Sequence, residues 1–519
     1  MKSGFSISNR RAVVGVCFAL VVMVWFVFGQ SLSFDFVNYD DGQYVYGNSF
    51  ISGGLTSEGL HQIATQPHSA NWHPLTSLTH MLDCQIYDLV PAGHRLTNIL
   101  LHMATAISLF LVLRSMTGSL WRSAFVAALF AVHPLRVESV VWISERKDVL
   151  SGLFFMLTLG AYTRYARVAG GGWRVTGRYY LAVVLFFVLG LLSKSMLVTL
   201  PFVLLLVDWH RAWGVEHGAD GAGSPGWWWR RFVEKIPLFL LSALFCGIAI
   251  WAQGLAIASV EVMSIPWRIG NALLSYVTYM KQMILPTGLA VLYPAHREAL
   301  SLWSVGFSLI LLAGITTVVL RERQKRPYLL TGWFWYLGML VPVIGIMQVG
   351  GQAHADRYTY LPQIGLGILI AWLAGDWAVS GRRRKLAAVM AALTLVGLML
   401  AARVQVGYWR DSVSLWSRAL ACTTNNYVAH SNLGAALFVN GNTSAAIDHF
   451  EQALRINPRQ AETFNNLASA YADEGRYPEA VAAARLALRL AKSQNPAVVE
   501  AIRTRLLEYQ THLSKGVSP

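Results

Sequence analysis

Long apolar runs separated by short charged loops constrain this chain more than any other feature. The sequence has 519 residues, of which 55% are hydrophobic and 13% charged, and its mean hydropathy is +0.44. Such a chain has too little polar surface to close as a water-soluble globule. We therefore predict an all-α fold, a polytopic membrane bundle of about 11 transmembrane helices. The predicted spans are residues 12–29, 96–113, 123–143, 149–163, 179–193, 196–209, 236–257, 303–320, 329–349, 361–378 and 386–402.

The basic residues predict how these helices are oriented. The formal net charge is +15, but Lys and Arg stand in short clusters between apolar runs, where membrane insertion favours them on the cytoplasmic side. We therefore interpret the charge as a topology signal and expect no nucleic-acid partner. All the clusters lie on one side if the N-terminus is cytoplasmic. The clusters lie at Arg164–Arg178, Arg211–Lys235, Arg321–Arg326 and Arg382–Lys385.

Two apolar segments affect the number of crossings. No small-residue cleavage site follows residues 12–29, so we expect a retained helix instead of a signal peptide. Residues 268–285 carry Asn271, Lys281 and Gln282, which predicts an interfacial or re-entrant segment. An odd number of spans then places the C-terminal region on the non-cytoplasmic side. That side is the periplasmic face of the inner membrane in a bacterium, or the lumen of the endoplasmic reticulum in a eukaryote.

The four cysteines indicate neither a zinc site nor a disulfide framework. Cys17, Cys84, Cys246 and Cys422 include no C-x-x-C spacing, and two of them lie inside apolar runs. A disulfide between Cys84 and Cys422 is the alternative to the unpaired thiols that we expect.

The C-terminal region repeats itself at an offset of 34 residues. The offset aligns Asn432–Gly434 with Asn466–Ala468 and Gly441 with Gly475. It also aligns the alanines of the two copies, Ala446 with Ala480 and Ala453 with Ala487. The pattern resembles the tetratricopeptide repeat (TPR) family, in which each repeat is a helical hairpin. We expect glycine to close each turn and the alanines to let the two helices approach closely.

These patterns divide the chain into a membrane domain and a helical-repeat domain. We predict the membrane domain at residues 1–403, with its first external loop at 31–95. Residues 404–426 form a half repeat or connector, 427–494 two TPR repeats, and 495–519 a capping helix and tail. The repeats provide either a groove for a protein partner or a structural cap, and the sequence leaves both alternatives open.

Two adjacent carboxylates open the first external loop. Asp40 and Asp41 repel each other, so one of them has a raised pKa or both share a cation. Such a pair is suited to deprotonating an acceptor hydroxyl, whereas the simpler alternative is a solvated turn. A divalent cation between the two is a further alternative, and no other cofactor is indicated. Asn71 and His73, later in the same loop, are candidate pocket residues.

Further charged residues lie at the predicted outer ends of the helices. Arg146, Lys147, Lys194 and Arg357 are candidates for binding a phosphate. Salt-bridged rims or snorkelling side chains are the alternatives. Acids and cations gathered on one membrane face would suit both a lipid phosphate and an activated hydroxyl. The neighbouring candidate pocket residues are Glu138, Asp148 and Tyr358.

Five motifs in this order resemble one known family. They are Asn38–Asp41, Asn71–Thr76, Glu138–Leu150, Ser193–Lys194 and Asp356–Pro362, and repeats follow them. Together they resemble the transmembrane and TPR-containing (TMTC-like) proteins. Those proteins are membrane glycosyltransferases of the GT-C type, related to protein O-mannosyltransferases. The resemblance covers nearly the whole chain, although animal members of the family carry many more repeats.

The resemblance implies an enzyme that depends on a polyprenyl-phosphate-linked sugar. It would transfer a hexose, with mannose favoured, to a hydroxyl acceptor on the non-cytoplasmic face, and the acceptor would be a protein Ser or Thr or a smaller molecule. The catalytic base carries over to Asp40 or Asp41, with Asp40 slightly favoured. A lipid-linked sugar transporter and a non-enzymatic TPR scaffold for envelope assembly are the alternatives.

Overall fold

A computed structural model of the protein describes residues 7–68, 71–168, 173–210, 224–254, 263–295, 300–347, 350–491 and 496–516. They form two compact units. The membrane unit contains the described residues within Met1–Asp35, Asp40–Leu289 and Ala295–Gly407. The repeat unit contains those within Phe36–Tyr39, Ala290–Pro294 and Tyr408–Pro519.

Helices make up nearly all of the described membrane unit, so the all-α prediction is confirmed. These helices are α1 Ile7–Phe28, α2 Ser49–Ser52, α3 Ser57–Thr65, α4 Pro74–Tyr87, α5 Pro91–Thr117, α6 Leu120–Val132, α7 Val137–Val141, α8 Arg146–Val168, α9 Trp173–Ser193, α10 Leu200–His210, α11 Pro225–Val233, α12 Ile236–Gln253, α13 Ile265–Ile284, α14 Leu302–Glu322, α15 Pro327–Leu340, α16 Gln363–Trp377 and α17 Gly381–Gly407. Short 3₁₀ segments lie at Gly29–Ser33, Pro134–Arg136, Ile143–Glu145, Ser195–Thr199 and Asp356–Thr359. The described strands are Tyr293–Pro294, in the repeat unit, and Gln352–His354, in the membrane unit.

Six helices in the described part of the chain are long and apolar enough to cross a membrane, and one bent pair adds a seventh. The six coincide with predicted spans, namely 12–29, 96–113, 179–193, 236–257, 303–320 and 386–402. The predicted span 123–143 coincides with the bent pair, and the remaining four predicted spans lie on helices that are shorter or carry more charge. Helix α8, for example, bears charged side chains in both its first and its last turn. Helix α13, which we predict to be interfacial or re-entrant, does not meet the criteria for a span either.

The predicted span 123–143 is not one straight helix. Helix α6 ends at Val132, and the following helical segment, Pro134–Val141, is bent by 59° relative to it. Pro134 lacks an N–H and disfavours helical backbone at the preceding residue, and His133 is accordingly extended. The chain then passes through three short segments before α8 begins. This irregular stretch presents Glu138 and Glu145 to the interior of the membrane unit.

Helical hairpins form the repeat unit, as the repeat pattern predicts. Its described helices are α18 Ser412–Cys422, α19 Tyr427–Val439, α20 Thr443–Ile456, α21 Ala461–Asp473, α22 Tyr477–Leu490 and α23 Pro496–Gly516. Gly441 and Gly475 close the two turns with φ of 80° and 74°, a region that favours glycine. Ala446, Ala453, Ala480 and Ala487 are fully buried. Both expectations for the repeat are thus confirmed. In the described part of the chain, Cys17, Cys84, Cys246 and Cys422 form no disulfide.

Candidate functional site

Asp40 and Asp41 lie in very different surroundings. Asp40 has a φ of 49°, an uncommon conformation for a residue other than glycine, at the entrance to the short helical turn Gly42–Tyr46. Its side chain is half-buried. Burial raises the pKa of Asp40, and the charges of Lys147 and Arg357 offset only part of that effect. Asp40 is therefore a more basic carboxylate than a solvated aspartate.

Asp41 is fully buried. Its Oδ1 accepts hydrogen bonds from the backbone N–H of Ser144, at 3.1 Å, and from the Ser144 hydroxyl, at 2.6 Å. The positive charge of Arg95 also lies close enough to interact with Asp41. The two adjacent carboxylates are thus not equivalent. Of the two, Asp40 has the surroundings that suit a base.

Six buried charged side chains form a cluster next to Asp40, which we term the charge cluster. Each of them is at most 8% exposed. The members are Glu138, Glu145, Lys147, Asp148, Lys194 and Arg357. With three acids and three cations, the charge cluster is neutral by itself when all six are ionised. Such a network can be stable in a buried setting because every charge has a partner.

Glu145 connects the three cations of the charge cluster. Its Oε1 lies 3.1 Å from Lys147 Nζ and 3.2 Å from Arg357 Nε, and its Oε2 lies 3.4 Å from Lys194 Nζ. Burial alone would raise the pKa of Glu145, but the three cations outweigh it and hold this pKa well below its usual range. Glu145 is therefore ionised throughout the physiological range.

The other two acids each hold one cation. Asp148 lies 2.5 Å from Lys194 Nζ and accepts a hydrogen bond from the Ser139 hydroxyl at 2.9 Å. Glu138 pairs with the Arg357 guanidinium and accepts from the Arg357 backbone N–H at 2.9 Å. Burial would lower the pKa of Lys194, yet Asp148 and Glu145 more than offset that effect and raise it. Lys194 therefore stays charged.

Breaks in the helices bring these charges together. Glu145 ends a three-residue 3₁₀ segment, and Lys147 and Asp148 occupy the first turn of α8. Lys194 follows the end of α9 in extended conformation, and Arg357 lies in the 3₁₀ segment after the extended Ala355. Acidic residues near the start of α8 also interact favourably with the helix dipole. The cluster thus depends on three interruptions, before α8, after α9 and between α15 and α16, that regular helices would not provide.

Arg146 lies outside the charge cluster. Its guanidinium is fully buried and lies 2.5 Å from a carboxylate oxygen of Asp83. It also donates to Asn98 Oδ1 at 2.8 Å and to the carbonyl oxygen of His94 at 2.6 Å. These partners link α8 to α4 and α5. The sequence pattern groups Arg146 with Lys147, but the two side chains of this helix start have different partners.

The candidate pocket residues Asn71, His73 and Tyr358 lie around the charge cluster. Asn71 donates to the Tyr44 hydroxyl at 3.1 Å, and the Tyr44 ring lies 4.7 Å from Lys147 Nζ. Burial, together with the charges of Lys147 and Lys194, lowers the pKa of His73 to about 3, so its imidazole is neutral. The Tyr358 ring lies 5.1 Å from the Arg357 guanidinium carbon.

A metal site finds no support among the described residues, since no group of three or more His, Cys, Asp or Glu side chains there could hold an ion. The divalent cation between Asp40 and Asp41 thus stays a prediction.

Glu145 and Ser144 were not singled out by the sequence pattern. Glu145 stands in a run of four charges, and nothing in that run distinguishes it from Asp148. The partner of Ser144 is Asp41, which is 103 positions away in the chain. In the sequence, Pro134 signals a helix break nearby, but this signal identifies a region of the chain and not a particular residue.

The fold and the site define a class: a helical membrane protein with a buried charge cluster and a C-terminal TPR region. The family model described as tetratricopeptide repeat matches residues 425–493. This match confirms the predicted repeat.

Animal protein O-mannosyl-transferases are similar to this chain over much of its length. TMTC3 of Mus musculus is 24% identical over 498 residues, which cover 88% of this chain and 50% of that protein. TMTC4 of Homo sapiens is 22% identical and covers 82% of this chain and 64% of that protein. Tmtc2 of Drosophila melanogaster is 29% identical over 251 residues, or 44% of this chain and 24% of that protein. The resemblance inferred from the motifs is confirmed, and the chain spans about half the length of mouse TMTC3.

Two solved structures are also similar. ArnT from Cupriavidus metallidurans bound to undecaprenyl phosphate has a TM-score of 0.40 at 15% identity, covering 91% of this chain and 79% of that chain. The oligosaccharyltransferase of Archaeoglobus fulgidus, tethered with an acceptor peptide, has a TM-score of 0.42 at 12% identity, covering 85% of this chain and 59% of that chain.

Proposed function

We propose that this protein is a membrane glycosyltransferase that moves a hexose, with mannose favoured, from a polyprenyl-phosphate donor to an acceptor hydroxyl. The observation that carries the proposal is Asp40, a carboxylate of raised pKa electrostatically coupled to the buried cations Lys147 and Arg357. A basic carboxylate next to cations is what proton removal from a hydroxyl and departure of a phosphate require together. The shared name of the relatives, protein O-mannosyl-transferase, supports the same reaction class.

The proposed reaction is an inverting substitution at the anomeric carbon. The Asp40 carboxylate takes the proton of the acceptor hydroxyl while the hydroxyl oxygen forms a bond to the anomeric carbon. The bond between that carbon and the phosphate oxygen breaks, and the polyprenyl phosphate leaves with the bonding electrons. Because phosphate is a stable anion, the leaving group needs no proton, only cations that stabilise its charge.

Lys147, Lys194 and Arg357 supply those cations in the proposal. Each already has an acidic partner, so the donor phosphate would share the remaining N–H groups instead of meeting an unpaired charge. Arg146 is left out of this role because its guanidinium contacts Asp83 and Asn98. Asn71, His73 and Tyr358 would line the pocket for the sugar or acceptor.

The acceptor and the location form the finer part of the proposal. The acceptor is a protein Ser or Thr on the non-cytoplasmic face, and the TPR helices bind a protein partner there. The N-terminus is cytoplasmic, as the basic loops predict.

The test uses the purified full chain with labelled polyprenyl-phosphate hexoses and an envelope extract as the acceptor source. Transfer of label by the wild type is expected, and Asp40→Asn should lower it by about a hundredfold or more. Asp35→Asn is the matched control, because Asp35 lies on the same loop and its side chain is exposed. If Asp40→Asn transfers label as fast as the control, Asp40 is not the base and the assignment fails. If the wild type transfers no label, the scaffold alternative is favoured.

A further inference from the structure

We propose that Asp41 is a positioning residue that fixes the turn Ile143–Glu145, on which Glu145 holds the three cations of the charge cluster in place for the donor phosphate. The inference rests on the proposed function and deepens it. It assigns separate tasks to two adjacent aspartates and gives Glu145 a role that the sequence pattern did not indicate.

The first step concerns what Asp41 can reach. The residue has no exposed surface, and its Oδ1 is occupied by the N–H and hydroxyl of Ser144. The hydrogen bonds from Ser144 and the nearby charge of Arg95 bind the buried Asp41 carboxylate to groups of the chain itself. Asp41 therefore acts on the chain and not on the acceptor.

The second step concerns the turn itself. Ile143–Glu145 is a single 3₁₀ turn between Trp142 and α8, too short to hold its own geometry. Asp41 fixes it at Ser144, and Asn98 fixes its start by donating to the carbonyl oxygen of Trp142 at 3.2 Å. Contacts from two distant segments thus determine where the Glu145 carboxylate lies.

The third step concerns the cations that Glu145 gathers. Lys147, Lys194 and Arg357 come from three different parts of the membrane unit and converge on this one carboxylate. Lys194 and Arg357 each have a second acid, Asp148 and Glu138 respectively. Lys147 has its ion pair with Glu145 and lies against the Tyr44 ring.

The consequence is that Glu145 keeps Lys147 from pairing fully with Asp40. The charged groups that act on Asp40 are Lys147, Arg357 and Glu145 itself. Without the Glu145 charge, Asp40 is the carboxylate whose charge still acts on Lys147, so the two interact more strongly and the base becomes weaker. The cations also repel one another more strongly, so the donor phosphate site loosens.

The experiment compares Asp41→Asn with Asp40→Asn in the full chain. Asparagine keeps the Oδ1 acceptor, so Asp41→Asn should retain kcat within about tenfold, whereas Asp40→Asn should lose about a hundredfold or more. Thermal unfolding of each purified variant controls for folding. A correctly folded Asp41→Asn that is as inactive as Asp40→Asn overturns the inference.

Glu145→Gln keeps the proposal testable if Asp41→Asn does not fold. It should raise the donor KM by about tenfold and move the acid limb of the kcat profile to lower pH, a shift that a purely structural defect would not produce. An unchanged KM and an unchanged limb overturn the inference. Failure of the proposed function is distinguishable, because the wild type itself would then transfer no label or Asp40→Asn would keep full activity.

Discussion

At the scale of single residues, the two aspartates illustrate how position divides one chemical group between two tasks. They are neighbours in the chain, but Asp40 has a left-handed backbone conformation. Asp40 stays half-buried near Lys147, while Asp41 is enclosed against Ser144. Sequence reasoning could predict that this pair matters, because two adjacent carboxylates are costly. It could not assign the roles, because the partners are more than a hundred positions away.

The pH dependence of transfer tests the role of Asp40. Burial raises its pKa, and a base must be deprotonated to act. Activity should therefore fall as the pH falls through this raised pKa, at a higher pH than for an ordinary aspartate near pH 3.9. The measurement is kcat/KM against pH for wild type and Asp35→Asn. An acid limb at or below the ordinary aspartate range would contradict the assignment.

Lys194 and Arg146 should respond differently to substitution. Lys194→Gln removes a cation from the charge cluster and leaves the buried Asp148 without its ion-pair partner, so we expect a higher donor KM together with a loss of stability. Arg146→Gln leaves the buried Asp83 without its ion-pair partner and should cost about 3–5 kcal/mol of stability, without a specific effect on donor KM. Donor titrations and thermal unfolding of both variants separate the two effects. If both substitutions raised the donor KM equally, Arg146 would again be assigned to binding the donor phosphate.

At the scale of secondary-structure elements, the sequence predicts the repeat turns and the apolar helices, but it does not predict where those helices are interrupted. The 34-residue repeat identifies its turns because Gly441 and Gly475 carry a local signal. The run 123–143 appears continuous in composition, but Pro134 breaks it and produces a 59° bend. Helix α8 has an apolar centre with charged ends, so composition alone does not reveal where it starts. The charge cluster depends on these interruptions, which explains why its geometry could not be predicted from local patterns.

The first TPR hairpin contains a histidine pair that should make its stability depend on pH. His430 and His449 bring their Nδ1 atoms within 3.0 Å across α19 and α20. Burial lowers the pKa of both, mutual repulsion lowers that of His430 further, and Asp448 opposes the effect at His449. Because the folded pKa values lie below the unfolded value of about 6.5, this stability is complete above that pH and is lost as the pH falls below it.

Hydrogen exchange of the full chain measures this effect. Protection of residues 427–456, corrected for intrinsic exchange, should decrease between pH 7.5 and 5.5. His449→Gln removes one titrating group and should weaken the pH dependence. Equal protection at both pH values in the wild type would contradict the prediction.

At the scale of the whole molecule, the fold class followed from composition, while the number of crossings did not. Of the eleven predicted spans, six meet the criteria of length and apolarity, one does so only as a bent pair of helices, and four do not. Whether a short helix crosses a bilayer depends on its neighbours and on bilayer thickness, and a hydropathy pattern contains neither. The side of the membrane on which a loop lies depends on whether the number of preceding crossings is odd or even, more than on their exact number. The basic loops therefore still support a clear prediction about sides.

Parity can be tested between Lys325, in the predicted cytoplasmic loop, and Arg459, in the repeat unit; both are exposed. Six helices separate them, and three of these, α15, α16 and α17, belong to the membrane unit. Of these three, only α17 meets the criteria for a span. If α15 and α16 both cross, there are three crossings; if they form a re-entrant pair, there is one. Either count puts the two residues on opposite sides.

In a chain whose four native cysteines are replaced by serine, a membrane-impermeant maleimide added to intact cells should label Arg459→Cys and leave Lys325→Cys unlabelled until the membrane is permeabilised. Labelling of both would mean that one short helix crosses and the other does not, whereas labelling of Lys325→Cys alone would invert the topology and move the repeats to the cytoplasm.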